Sequence, residues 1–490
     1  MVLPCSSLSI ARLPPLLALV SFAAFLFFEH LIKQVEYSAS PTKKFVGPHI
    51  ERPSLQPDFP RSYLEEMRSE MMSKFFKCSH RLCRFGIKDG FLKQNQSQLH
   101  HQSSECLEFF LWIHHDLEPW KKSRISLSHL MEVKKHAAFR AVIVGGKLYV
   151  DMYALCVQRR SMFTVWGLLQ LLKRYPGMVP DVDMMFDCSD KPKISRKEHR
   201  SMPLPLFRYC TTSNHFDIPF PDWSFWGWPE LNIGPWDEEL SSIRHVSQAR
   251  SWQRKWPVAY WKGNPSTIPL RSKLLTCNDS RVWKAQIMHQ DWGAETLAGF
   301  KNSNLSKQCD HRYKIYAEGL AWSASLKYIL SCGSVPLVIA SKYEEFFSRG
   351  LFPKKNYWPV SAANLCRSIK HAVDWGNANL AEAEAIGRES QNFMGSMSMD
   401  RVYNYMFHLI NEYSKLLNFK PVPPPSAIHV CAESLLCFAD PLEKQFFQRS
   451  ATSSPAETPL CVLHPPDRNY IKSWVEEKRR IIRDVEISVN

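Results

Sequence analysis

The sequence predicts an α/β protein built on parallel sheet, and three stretches predict it. In 309–339, Tyr313, Ile315 and Ala317 alternate with Lys314, Tyr316 and Glu318 as in a strand, and Glu318-Gly319 makes a turn. A helix over 320–330 follows, with Leu326, Ile329 and Leu330 on one face. Cys332-Gly333-Ser334 stops it before the apolar strand 335–339. Strand, turn, helix, strand is the unit of a parallel sheet with crossover helices. A second stretch, 258–265, runs as a strand into a Gly263 turn. The third is an amphipathic helix over 163–174, carrying Val165, Leu168, Leu169 and Leu172, which leads to the apolar strand 184–186.

Composition agrees with a folded chain. The 490 residues are 45% hydrophobic and 22% charged, enough for large cores and two to four domains. Lys and Arg number 62 against 47 acidic residues, a net charge of +15. No zinc-finger spacing, RNA-binding signature or long basic block accompanies it, which excludes nucleic acid as the expected partner. A dispersed basic surface suits anionic small molecules and glycans instead.

The N-terminus sets the compartment. Arg12 precedes an uncharged run over 13–28, which reaches 32 if Glu29 and His30 lie at the interface. A cleaved signal peptide with a site near Ala39 and an uncleaved signal anchor both fit, and the length of the run favours the anchor. The expected organisation is a short cytosolic tail at 1–12, a transmembrane helix at 13–32 and a lumenal stem at 33–105 with a helical patch at 63–76. Single-pass type II insertion in the Golgi or endoplasmic reticulum membrane follows. Three glycosylation sequons, at Asn95, Asn278 and Asn304, agree with a lumenal location. There the fourteen cysteines become disulfide candidates, with Cys78 and Cys83 a plausible local pair.

From Cys106 the composition turns aromatic and aliphatic. His114, His115 and Asp116 close a helix before Pro119 rather than hold a metal. At 141–150 the turn Gly145-Gly146 writes out a hairpin. Asp181 and Asp183 imitate a metal-binding DxD motif, but they precede the strand 184–186, whereas ligands of parallel sheets collect beyond the carboxyl ends of strands. Asp187 and Asp190 lie at that end, and Asp190, on the loop before Lys191-Pro192, is the better base. The segment 220–229 carries Trp223, Trp226 and Trp228, which could form core or a wall for a base or sugar ring. Asn264 and Arg271 lie near one strand end, where an arginine fork and a turn suit phosphate. Small residues at Gly319, Ala321, Ser323, Ala324 and Ser325 open the backbone of the next turn to a diphosphate. Helices over 380–393 and 402–417 close this region. The Pro-rich remainder, 421–490, reads as a tail that Cys431, Cys437 and Cys461 could staple.

Asp190 in its DCSDKP setting, FPDWSFWGW at 220–228, YWKGNP at 260–265, RYKIYAEGLAWSASLKYILSCGS at 312–334 and YWP at 357–359 together resemble glycosyltransferase family 90. That family holds the rumi-type protein O-glucosyltransferases and the capsule-associated xylosyltransferases, and the anchored plant branch is most similar. The resemblance covers about 106–417. It implies a GT-B-type fold with lobes at roughly 106–250 and 251–420 in a catalytic domain of 106–420. It also implies inverting, metal-independent transfer from a UDP-sugar bound between the lobes to a glycoprotein or polysaccharide hydroxyl, with no cofactor. Asp190 falls on the catalytic aspartate. Asn264 and Arg271 fall near the donor-binding turn, and Leu320, Ala321, Trp322, Ser323 and Ser325 on the diphosphate loop. Ser325 stands where rumi-type members carry an arginine, with Lys327 two positions on. A binding protein of the same fold that has lost transfer is the alternative this departure raises.

Overall fold

The computed structural model describes residues 61–83, 104–453, 456 and 458–489, and the side chains among them from residue 69 on. The anchor expected at 13–32, the sequon at Asn95 and most of the expected stem lie outside these residues. Among the described residues no helix is long and apolar enough to cross a membrane.

Among the described residues eleven strands form two sheets. β1 (Phe139–Val144), β2 (Lys147–Met152), β3 (Val182–Phe186), β4 (Leu206–Arg208), β5 (Ile218–Pro219) and β11 (Ile428–Val430) make the first, in the order β11-β2-β1-β3-β4-β5. β6 (Trp256–Gly263), β7 (Ala285–His289), β8 (His311–Tyr316), β9 (Val335–Ile339) and β10 (Trp358–Val360) make the second, in the order β10-β9-β8-β6-β7. The second sheet is parallel throughout, as the 309–339 unit predicts. The first is mixed, because the hairpin sets β1 antiparallel to both β2 and β3 while β3, β4 and β5 run parallel. At its turn Val144 pairs with Lys147, and Gly145 and Gly146 take φ of +56° and +71°, the left-handed pair that a tight two-residue hairpin needs.

Helices α1 (Arg61–Leu82), α2 (Arg160–Arg174), α3 (Ser325–Leu330), α4 (Leu365–Ala378), α5 (Leu380–Gly395), α6 (Met399–Ser414) and α7 (Arg468–Val489) contribute to the packing around these sheets. α2 is buried on nearly every side, so its apolar surface runs all round rather than in a stripe. In β8, Tyr313 and Ile315 face one core with α4, while Tyr316 faces the other core with the first sheet.

Three expectations change here. The helix expected from residue 320 begins only at Ser325, because the Ser323 N–H donates to the Tyr316 hydroxyl at 3.0 Å and the preceding residues form a loop. Cys78 and Cys83 do not pair with each other. Five positions apart on or beside one helix they project in different directions, and they bond instead to Cys437 and Cys431. Segment 421–490, set apart as a tail by its prolines, is woven into the fold. β11 pairs with β2, Phe446 and Phe447 are buried, Val485 of α7 enters the second core, and Cys461 bonds to Cys106. Three further disulfides, Cys156–Cys188, Cys277–Cys366 and Cys309–Cys332, make six among the described residues, the marks of a chain folded in the secretory pathway.

Candidate active site

β3 delivers its carboxyl end to a loop held by two acids with different fates. Asp187 is buried and taken up by Arg208, by Lys193 at 3.1 Å and by the Ser189 hydroxyl at 2.5 Å. Asp190 is 25% exposed, and its Oδ1 accepts from Arg160 Nη1 at 2.7 Å. The rejected DxD pair is structural. Asp181 accepts from the Gly145 N–H at 2.8 Å and so caps the hairpin, while Asp183 is fully buried against Arg140 Nε at 2.7 Å.

The aromatic segment is mostly core. Trp226 is fully buried, donates to the Tyr403 hydroxyl at 2.9 Å, and packs on the Cα of Gly167 in α2. Trp223 is also buried, and its ring carries the Arg160 guanidinium at 4.1 Å. Trp228 alone of the three expected wall residues is half-buried, with its ring 5.2 Å from Trp223. An open three-tryptophan wall is therefore not what the chain builds, since Trp223 and Trp226 are buried and Trp226 packs against Gly167 of α2 and bonds to Tyr403 of α6.

Trp322 connects this region to the second sheet. Its ring lies 6.0 Å from Trp223 and 5.7 Å from Tyr209. The loop 319–324 that bears it is thus joined to Asp190 through Trp223 and the Arg160 that lies on Trp223. Leu320, Ser323 and Ser325 are half-buried and Ala321 is buried, with the Ser323 and Ser325 hydroxyls 2.9 Å apart. Gly319 fits closely at the turn: a Cβ there would lie 3.2 Å from the Trp322 carbonyl. It would also lie 3.8 Å from Arg271 Nη2, which places Arg271 beside the same loop.

Arg271 donates to the carbonyls of Glu318 at 2.8 Å, Ala317 at 2.9 Å and Asn264 at 3.3 Å, and has no carboxylate partner among the described residues. Burial pulls its guanidinium below its ordinary value. Asn264 turns its own side chain onto the Ser266 N–H at 2.9 Å, so it shapes the turn and offers Arg271 its carbonyl. Lys327 departs from expectation. It is fully buried, with its ammonium 2.6 Å from the Ser224 hydroxyl, 3.6 Å from Asp222 Oδ2 and 3.5 Å from the Ala324 carbonyl, and so it ties α3 and the end of the 319–324 turn to the 220–229 segment instead of lying open to a ligand.

The chain's contacts thus run from Asp190 through Arg160, Trp223 and Trp322 to Gly319 and Arg271. Arg160 and Tyr209 carry no motif of their own, and only the placement of a helix start beneath a strand's carboxyl end could have pointed to the arginine.

Residues 101–488 match the family model for Glycosyl transferase family 90. The chain belongs to that family. Among curated proteins it is similar to Protein O-glucosyltransferase 1 of Bos taurus, 26% identical over 333 residues, covering 65% of this chain and 82% of that protein. The human protein of the same name gives the same identity and coverage. O-glucosyltransferase rumi of Drosophila melanogaster is 23% identical over 342 residues, covering 67% of this chain and 82% of its own length.

The family match runs beyond residue 420 to the end of α7, in keeping with the integrated C-terminal segment. This family 90 chain has one grouping of three possible metal ligands among its described residues, Cys106, His408 and Cys461, and the Cys106–Cys461 disulfide takes both sulfurs. Asn278 and Asn304 are both exposed; Asn304 Oδ1 accepts from the Ser306 hydroxyl of its own sequon at 2.7 Å.

Proposed function

We propose that this chain is an inverting, metal-independent transferase that moves glucose or xylose from a UDP-sugar to a hydroxyl of a glycoprotein or polysaccharide acceptor. The observation that carries the reading is the approach of the partly exposed Asp190 and the Arg271-flanked loop 319–324 through the Trp223–Trp322 contact. The names of the curated relatives favour glucose and a protein acceptor. In this reading the two sheets are the lobes of a GT-B-type fold and the donor lies where they meet. The catalytic part is lumenal, anchored through 13–32 in the Golgi or endoplasmic reticulum.

Asp190 takes the proton from the acceptor hydroxyl as that oxygen attacks the anomeric carbon. The bond from that carbon to the UDP oxygen breaks on the opposite face, and configuration inverts. The leaving diphosphate gains charge, which Arg271 and the N–H groups at the start of the 319–324 turn stabilise. Trp228, half-buried, is the member of the aromatic segment left for a ring contact. With Lys327 turned toward Asp222, the site presents fewer cations than its sequence promised, and a binding protein without turnover is the second reading.

Purified protein incubated with a panel of UDP-sugars, with and without chelator, tests both. Release of UDP from one donor, resistant to chelator and lost in Asp190→Asn while UDP still binds, is the expected result. UDP binding with no release from any donor supports the binding protein; loss of UDP binding together with turnover in Asp190→Asn makes that residue structural.

A further inference from the structure

We infer that Arg160 is a positioning residue for the Asp190 carboxylate, an inference that rests on Asp190 being the base. Arg160 opens α2, and the two residues before it, Gln158 and Arg159, take φ of 53° and 52°. Neither is a glycine, and a left-handed pair of this kind persists only where its surroundings hold it. They do. Arg159 is bonded to Glu230 at 2.7 Å and to Asp440 at 2.5 Å, and the Cys156–Cys188 disulfide fastens the same turn to the loop that carries Asp190.

The turn aims a guanidinium whose every edge is occupied. Nε and Nη2 donate to Gln158 Oε1 at 3.2 and 2.8 Å, and Nη1 donates to the Cys188 carbonyl at 3.0 Å and to Asp190 Oδ1 at 2.7 Å. The flat face lies on Trp223. A planar fork with fixed donors satisfies these partners at once, where an ammonium on a flexible stem could reach only some of them. The arginine side chain is 8% exposed against 25% for the acid, so the rigid partner is inside and the reactive one outside. Oδ1 is held, and Oδ2 accepts no hydrogen bond among the described residues. One carboxylate oxygen is thereby fixed in direction while the other is left to take a proton. Trp223 contributes as the platform beneath the guanidinium.

The test compares Arg160→Gln, Arg160→Lys and Arg160→Ala with the parent, reading UDP release from UDP-glucose and UDP-xylose, UDP affinity and thermal unfolding. Misplacing a reacting group by an ångström costs about 10²-fold. We therefore expect Arg160→Gln to lower kcat by about that factor with KM for the donor and UDP affinity unchanged. Arg160→Lys should retain part of the rate, and added methylguanidinium should restore part of it to Arg160→Ala. A parallel loss of kcat, UDP affinity and unfolding temperature, without rescue, would make Arg160 a folding residue and overturn the inference. Full activity in Arg160→Gln alongside an inactive Asp190→Asn would reject Arg160 alone. Full activity in Asp190→Asn, or no release from either donor by the parent, would reject the base on which the inference rests and the inference with it.

Discussion

Lys314 lies in the middle of β8, 3% exposed, with its ammonium 4.4 Å over the Tyr260 ring. Burial pulls its pKa from 10.5 down to about 7, the nearby Lys255 adds to the shift, and Asp310 opposes it. Between these values the unfolded chain binds a proton that the folded chain does not, so folding stability rises with pH from about 7 toward 10.5 and is lost as pH falls through 7. Lys255, buried and held at about 8, titrates in the same sense. Lys314→Met should therefore raise the unfolding temperature at pH 6, approach the parent at high pH, and flatten the slope without abolishing it; thermal denaturation at pH 6 and pH 9 reads this directly. An equal change at both pH values would mean that packing against Tyr260, not charge, dominates. At this scale the sequence exposes position but not partnership. Asp190 stands out in the sequence because it follows an apolar strand, whereas Asp183, read as preceding that strand, lies inside β3 and is taken up by Arg140. That Arg160 would lie on Trp223, or that Lys327 would be buried against Asp222 from more than a hundred positions away, depends on tertiary contact that no local pattern encodes.

Between elements, α2 packs tightly against the aromatic loop. A Cβ at Gly167 would stand 2.3 Å from Cζ2 of Trp226, a ring fixed by its bond to Tyr403 and buried on all sides. Neither partner can give way, so Gly167→Ala should destabilise by roughly 1–3 kcal/mol, the usual cost of overpacking, measured as a lower denaturation midpoint with an unchanged slope. Since α2 also starts with Arg160, any relief by shifting the helix would carry into the Asp190 loop and lower turnover beyond the loss of stability. The hairpin and the parallel unit were legible because each is specified locally, by Gly145-Gly146 in one and by alternation, turn and apolar strand in the other. The start of α3 was not, since apolar spacing fits 320–330 while Ser323 takes the Tyr316 hydroxyl instead of entering a helix. The tryptophan segment left core and wall equally open because its rings suit either, and α2 and α6 decide between them by covering it.

For the whole molecule, the two ends of the described chain hold each other. Cys78, Cys83 and Cys106 bond to Cys437, Cys431 and Cys461, across sequence separations of 359, 348 and 355. Only one of these bridges closes the full loop; with it made, each of the others closes a much shorter one. The pair Cys83→Ser and Cys431→Ser should therefore cost at most the roughly 2–5 kcal/mol typical of a native bridge and leave a folded protein with a lower unfolding temperature. A chain ending at residue 420 is a different matter. It gives up all three bridges, leaves the edge of β2 unpaired, and removes Phe446 and Phe447 from one core and Val485 from the other. Those losses fall on both sheets and are large against the roughly 5–15 kcal/mol by which a domain is stable. We expect that chain to be expressed without cooperative unfolding or bound UDP, while the double serine variant keeps both. A truncated chain that still unfolds cooperatively would show that the boundary suggested by the prolines at 421–425 is a true domain edge, and that the C-terminal segment decorates the two sheets without completing them.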